Sequence, residues 1–200
     1  TSHTYVYASS SSGTGQANSD KSIGDFWMSD GAYTASTKRA SLIHVPLVAA
    51  PIAILHNLPA KTTLQLSAST IAGIFGGTIT RWNDPAIVAD NNRSTTKTIY
   101  KLDKNGNPAK DAKGNPVVLR TQVITGHYTL PDKPIKVVYR SDSSGTSENF
   151  TNYLNKSAGS VWTKAKSKVF KDSFPGNIND VANLGRVVGA ASSTGVSQLA

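Results

Sequence analysis

Residues 137–154 constrain the fold most: strand-like Val137-Val138-Tyr139 runs straight into the polar turn R-S-D-S-S-G-T-S, and Phe150, Tyr153 and Leu154 then recur at helical spacing. A strand that reaches a helix through so few residues belongs to a chain in which strands and helices alternate, and alternation implies a mainly parallel sheet. The turn itself, within Y-R-S-D-S-S-G-T-S-E-N-F at 139–150, has the chemistry of an anion seat. Small residues at a helix start leave backbone N–H groups free to face an oxyanion, hydroxyls add donors, and the Arg140 guanidinium adds charge in a planar fork. The same Ser, Asp and Thr residues are also ordinary N-caps, so the segment alone is equally at home in a plain loop.

Elsewhere the pattern repeats more weakly. Tyr5-Val6-Tyr7 reads as a short strand, A-S-S-S-S-G-T-G at 8–15 as a second small-residue turn, and residues 14–22 as the start of a helix. G-D-F-W-M-S-D at 24–30 reads as a buried strand ending in an acid, and 42–55 as a long apolar segment that Pro46 and Pro51 turn into an edge or a crossing. Leu66, Ile71, Ile74 and Phe75 suggest an amphipathic helix capped by Ser67 or Ser69 and stopped by Gly76-Gly77. Asn83-Asp84-Pro85 starts another short helix, with Trp82 packing beside the turn. Residues 90–134 depart in composition. Two strand-like pieces, 98–102 and 117–124, and Gly-Asn-Pro at Gly106 and again at Gly114, predict an inserted β-hairpin around 95–125 with two turns.

Bulk properties exclude several classes. The 200 residues contain no cysteine, which removes disulfides, thiol catalysis and cysteine-ligated zinc; four scattered histidines offer no metal-ligand spacing, so neither metal nor cofactor is expected. The net charge of +9 is spread along the chain, and its densest cluster, Lys164, Lys166, Lys168 and Lys171, reads as a solvated face rather than a nucleic-acid site. A small anionic ligand fits the charge as well. No histidine lies near a serine elbow of the G-x-S-x-G kind, so His3, His44, His56 and His127 read as strand or loop residues and no enzyme is expected. No stretch is apolar enough for a membrane span, Thr1 does not open a signal peptide, and both ends read as cut.

Four blocks together resemble the PstS family, the phosphate-binding proteins that serve bacterial ABC phosphate transporters. They are S-S-S-G-T-G at 10–15, G-D-F-W-M-S-D at 24–30, I-F-G-G-T-I-T-R-W-N-D-P-A-I at 74–87 and V-V-Y-R-S-D-S-S-G-T-S at 137–147. The resemblance implies a two-lobed, type II periplasmic-binding-protein-like α/β fold, incomplete relative to the family, with residues 1–55 in part of lobe 1, 56–200 in lobe 2 and 90–134 inserted. It implies inorganic phosphate held by Ser12, Asp30, Arg140, Asp142, Ser144, Gly145 and Thr146. Ser12, Ser144 and Thr146 would donate, Gly145 would allow close approach, and Asp142 would hold the Arg140 fork. Asp30, an acceptor facing a dianion, would demand a proton of the ligand, which phosphate has and sulfate lacks.

The family's Thr-Phe-Pro type loop has no counterpart before Tyr5, the family continues beyond the position of Ala200, and Ser143 stands where glycine is most usual. The role implied is an extracytoplasmic receptor, periplasmic, secreted or surface-anchored, whose partners are phosphate, the membrane permease of an ABC importer and the remainder of the same protein. The alternative is a non-transporting structural or protein-interaction module on the same scaffold, which the inserted hairpin and the cut ends motivate.

Overall fold

Two runs rich in β-branched residues pair as parallel strands, β3 (Val137–Arg140) and β4 (Val187–Ala190), with Val137 opposite Val187 and Arg140 opposite Ala190. The structure is a computed structural model that describes residues 4, 6–36, 38–58, 64–125 and 129–200. The chain separates into a larger unit, Thr1–Pro59, Ala68–Arg81 and Pro134–Ala200, and a smaller one, Ala60–Ser67 and Trp82–Lys133.

In the larger unit the helices are α1 (Ser12–Asp20), α2 (Ala68–Phe75), α4 (Gly145–Ser157), α5 (Phe170–Ser173) and α6 (Ser192–Leu199), with a 3-10 turn at Val181–Asn183. Their ends follow local chemistry. The hydroxyl of Ser11 accepts from Thr14 N at 3.2 Å to cap α1, and Gly76-Gly77 ends α2, Gly77 with φ +83°. Ser144 caps α4, Glu148 lies in its first turn and Lys156 in its last, each on the side the helix dipole favours. An aromatic cluster anchors the strand that leads to the site. Tyr139 of β3 stacks on Phe170 with centroids 4.7 Å apart, Phe75 of α2 meets Phe150 of α4 edge-on at 4.8 Å, and Trp162 is wholly buried with Nε1 donating to Ser173 Oγ at 3.0 Å.

In the smaller unit α3 (Pro85–Asn91) starts as its sequence predicts, with Pro85 in the first turn and the Asp84 carboxylate accepting from Ala86 N at 2.9 Å. Asn91 trades two hydrogen bonds with the Gln65 backbone, at 2.9 and 3.0 Å, and so ties the incoming segment to α3. The hairpin consists of β1 (Ser94–Tyr100) and β2 (Val118–Thr125), antiparallel, with Ser94 opposite Thr125, Ile99 opposite Arg120, and a bulge before Tyr100 meets Val118. Its tip holds two tandem turns of one design. Asp103 Oδ1 accepts from Asn105 N and Asn107 N, and eight residues on Asp111 Oδ1 accepts from Lys113 N and Asn115 N, all at 2.8–3.0 Å. Gly106 and Gly114 take φ of +80° and +84°, which is why glycine recurs there. Three backbone bonds then close a ring: Lys101 N to Val117 O, Val117 N to Ala109 O and Ala109 N to Lys101 O, at 2.9, 2.8 and 2.7 Å.

The α/β class and the inserted hairpin are present. Two expected strands are not. Residues 24–30 form bends and irregular chain, with Phe26 85% exposed, while 42–55, the proline-broken segment expected as an edge or a crossing, is exposed chain without regular structure. Val6 and Tyr7 are unpaired as well, and Tyr5 lies outside the described residues. A strand is a paired object: a sequence with strand character but no partner strand stays unassigned whatever its propensity. Among the described residues, the parallel sheet is limited to β3 and β4.

Candidate anion-binding site

Two helix starts converge in the larger unit. The turn before α1 and the turn before α4 are tied by Gly13 N donating to Ser143 O at 3.1 Å, and the loop 29–31 lies between them. Asp30 is held from three directions. Its N–H donates to Ser12 Oγ at 3.2 Å, its carbonyl accepts from Asn149 Nδ2 at 2.9 Å, and its Oδ2 accepts from Thr146 Oγ1 at 2.6 Å. Gly145 makes this approach possible, because a Cβ there would lie 2.7 Å from Gly31 N, 2.9 Å from Ser12 Oγ and 3.0 Å from Asp30 Cβ. The constraint is crowding, not an unusual φ.

Beside this junction β3 delivers Arg140. Asp142 grips one edge of the guanidinium, Oδ1 accepting from Nε at 2.6 Å and Oδ2 from Nη2, while Nη1 donates to Ser193 Oγ at 3.2 Å. A guanidinium carries five N–H groups. Three are engaged among the described residues, which leaves one on Nη1 and one on Nη2, a fork suited to two oxygens of a tetrahedral anion. Asp142 is fixed in turn by Ser192 N at 3.1 Å. The hydrogen bond from Arg140 holds the Asp142 carboxyl below the usual carboxylate range, against its partial burial. The Asp142 hydrogen bond and charge, with a further contribution from Asp30, hold the Arg140 guanidinium above its ordinary value. Arg140 therefore stays cationic while its net field is reduced by two carboxylates.

All seven residues singled out in the sequence lie in this unit. Ser12, Asp30, Gly145 and Thr146 are brought into direct contact, Arg140 is locked to Asp142, and Ser144 is buried as the α4 cap, its hydroxyl accepting from Ser147 N at 3.4 Å. Sequence reasoning missed three others. Gln16, buried on α1, donates from Nε2 to Ser29 Oγ at 2.8 Å and to Gly31 O at 3.2 Å, and its Oε1 accepts from Lys168, so it braces the loop that carries Asp30. Ser192 and Ser193 orient the Arg140–Asp142 pair. They open S-S-T-G directly after β4, a third copy of the hydroxyl-rich turn at a helix start, and that repetition is the signal that could have found them. In the basic cluster Lys164, Lys166 and Lys171 are exposed, Lys166 pairing with Glu148 at 3.0 Å, and Lys168 reaches Gln16. Of the histidines, His44 Nε2 accepts from Tyr33 N at 3.0 Å, and His3 and His127 lie outside the described residues.

The PBP superfamily domain matches residues 2–197. Phosphate-binding protein PstS2 of Mycobacterium bovis (strain BCG) is 34% identical over 155 residues, covering 78% of this chain and 30% of that protein. PstS 3 of Mycobacterium leprae is 33% identical over 175 residues, 84% of this chain and 38% of the relative. PstS of Pasteurella multocida is 34% identical over 153 residues, 75% and 35% respectively. The chain thus spans about a third of the length of these relatives, between 30% and 38%. A crystal structure of an ancestral soluble variant of the human phosphate binding protein is 27% identical with a TM-score of 0.41, covering 68% of this chain and 25% of that one.

Proposed function

This chain belongs to the PBP superfamily, and we propose that within it the chain supplies the phosphate seat of an extracytoplasmic receptor that hands phosphate to an ABC importer. One observation carries the reading: Arg140, with one N–H on Nη1 and one on Nη2 left unengaged among the described residues, feels the charge of Asp30, the central acceptor at a junction of two helix starts. The relatives' names, phosphate-binding proteins of the PstS type, agree with it. The receptor role is one of binding, not catalysis.

The chemistry of selection follows from the donor and acceptor inventory. Arg140 takes two oxygens, the hydroxyl of Ser12 and the start of α4 serve the others, and Asp30, whose Oδ2 is held by the Thr146 hydroxyl, accepts the one proton a phosphate retains near neutral pH. Sulfate presents no proton, so it would leave the Asp30 carboxylate facing a bare anionic oxygen, and the cost of that unpaired charge is the discrimination. In the whole receptor we assign Ser12 and Asp30 to one jaw of the interlobe cleft and Arg140 to Thr146 to the other, with phosphate favouring the closed state through contacts to both.

Calorimetric titration with phosphate and with sulfate tests the reading. Phosphate binds and sulfate does not, and Asp30→Asn, which can donate as well as accept, narrows the gap between them. Binding of neither anion, or sulfate binding as tightly as phosphate in the unmodified chain, sinks it.

A further inference from the structure

None of the residues assigned to the anion seat belongs to the smaller unit, whose hairpin carries a dense set of exposed basic and apolar side chains. Among the described residues β1 and β2 pair with no third strand, and almost every position on both faces is exposed. Register places Thr96, Thr98 and Tyr100 on one face with Val123, Thr121 and Val118, and Lys97 and Ile99 on the other with Gln122 and Arg120. Toward the tip Leu102 is 59% and Leu119 62% exposed. Around these apolar side chains stand Lys97, Lys101, Lys104, Lys110, Lys113 and Arg120, against two acids in residues 94–125. Both acids, Asp103 and Asp111, are folded onto backbone N–H groups, so the lysines set the outward chemistry of the tip.

We propose that this hairpin is a prong that docks on an anionic lipid surface. Three features favour a bilayer over a protein or a nucleic acid. Protein interfaces are enriched in aromatic residues and arginine and depleted in lysine, whereas the prong has five lysines, one arginine and exposed aliphatic side chains. Lysine stems lie along apolar surface while their ammonium groups stay among charged headgroups. Apolar side chains on both faces and at the bulge fit a medium that surrounds the tip, where a protein partner would cover a single face. The backbone ring through Lys101, Ala109 and Val117 fixes the tip in advance, so docking orders no loop. The proposal is independent of the phosphate reading.

Flotation of the chain with vesicles of neutral phosphatidylcholine, and with vesicles also containing phosphatidylglycerol, provides the test. The chain floats with the anionic vesicles at low salt, not with the neutral ones, and is released at high salt. Each basic side chain near such a surface strengthens binding about fivefold, so Lys104→Gln, Lys110→Gln and Lys113→Gln together weaken it about 100-fold. Leu102→Ser with Leu119→Ser weakens flotation while leaving its salt dependence in place. All five positions are exposed, and unchanged circular dichroism confirms the fold of each variant. Failure to float with anionic vesicles, equal flotation with neutral ones, or a triple lysine variant that floats like the parent overturns the proposal, as does capture of an acidic protein without any flotation.

Discussion

Gly145→Ala is the smallest change that tests whether the two helix starts must touch. The added methyl would meet Gly31 N at 2.7 Å, Ser12 Oγ at 2.9 Å and Asp30 Cβ at 3.0 Å. Carbon contacts are favourable from about 3.5 Å, so the Asp30 loop has to retreat by about 0.5–0.8 Å. Forcing a group into such a contact costs about 1–3 kcal/mol, while replacing glycine stiffens the unfolded chain and returns about 0.4–1 kcal/mol, so a net loss of up to about 2.6 kcal/mol is expected. The retreat also stretches the bond from Thr146 Oγ1 to Asp30, now 2.6 Å, to about 3.1–3.4 Å, where it is weakened. That bond helps to prearrange the seat, so phosphate affinity falls by at most one charge-assisted hydrogen bond, about 1.5–3 kcal/mol or about 10- to 150-fold. Urea unfolding followed by tryptophan fluorescence, to which wholly buried Trp162 contributes, reports the first quantity and calorimetry with phosphate the second. Gly106→Ala is the control: its φ is +80° with no atom within 4 Å of an added Cβ, so it costs about 1–2 kcal/mol through backbone strain alone and leaves phosphate affinity untouched. A Gly145→Ala chain with parental stability and affinity refutes the reasoning, and so does a Gly106→Ala chain that loses phosphate equally.

Asp142 makes a prediction in pH. Its folded carboxyl titrates below the unfolded value because Arg140 donates to it, so its stabilising effect is complete above the unfolded pKa of about 3.9 and disappears as pH falls from there through the lower folded value. Urea midpoints measured down the acid limb should fall less steeply for Asp142→Asn than for the parent; equal slopes contradict the assignment. Trp162→Ala should destabilise by about 3–5 kcal/mol, since it empties a wholly buried site and strands Ser173 Oγ, whereas Trp162→Phe keeps most of the volume and costs less. Denaturation of the two variants side by side checks the order.

What the sequence made legible was chemistry that acts over a few residues. Ser144 as a cap, Asp84-Pro85 as a helix start, and the glycines at 106 and 114 all work through their own backbone neighbours, so their pattern is their structure. Strands at 5–7 and 24–30 were misread for the opposite reason. Their aliphatic and aromatic content is the raw material of a strand, but pairing is supplied from elsewhere in the chain, and among the described residues none arrives. The site divides along the same line. Arg140 and Asp142, two residues apart, announced each other, whereas Gln16 and Lys168 meet across 152 positions with no cue in the sequence, and Ser193, 53 positions from Arg140, was signalled only by the repeated hydroxyl-rich turn it opens. Gly145 was expected for close approach, and only the geometry shows that Gly31, Ser12 and Asp30 crowd it.

The backbone ring at the hairpin tip has one more consequence. Lys101, Ala109 and Val117 are spaced eight residues apart, and each of the two intervals contains the same D-x-x-G-N-P turn. Length in this region therefore changes most simply in steps of eight: excising residues 109–116 would let Lys101 face Val117 across a single remaining turn, with Gly106 still at its left-handed position. Such a tip is the expected product of an eight-residue duplication, and it offers a graftable cassette whose reach can be altered by whole leaves without disturbing the strands beneath.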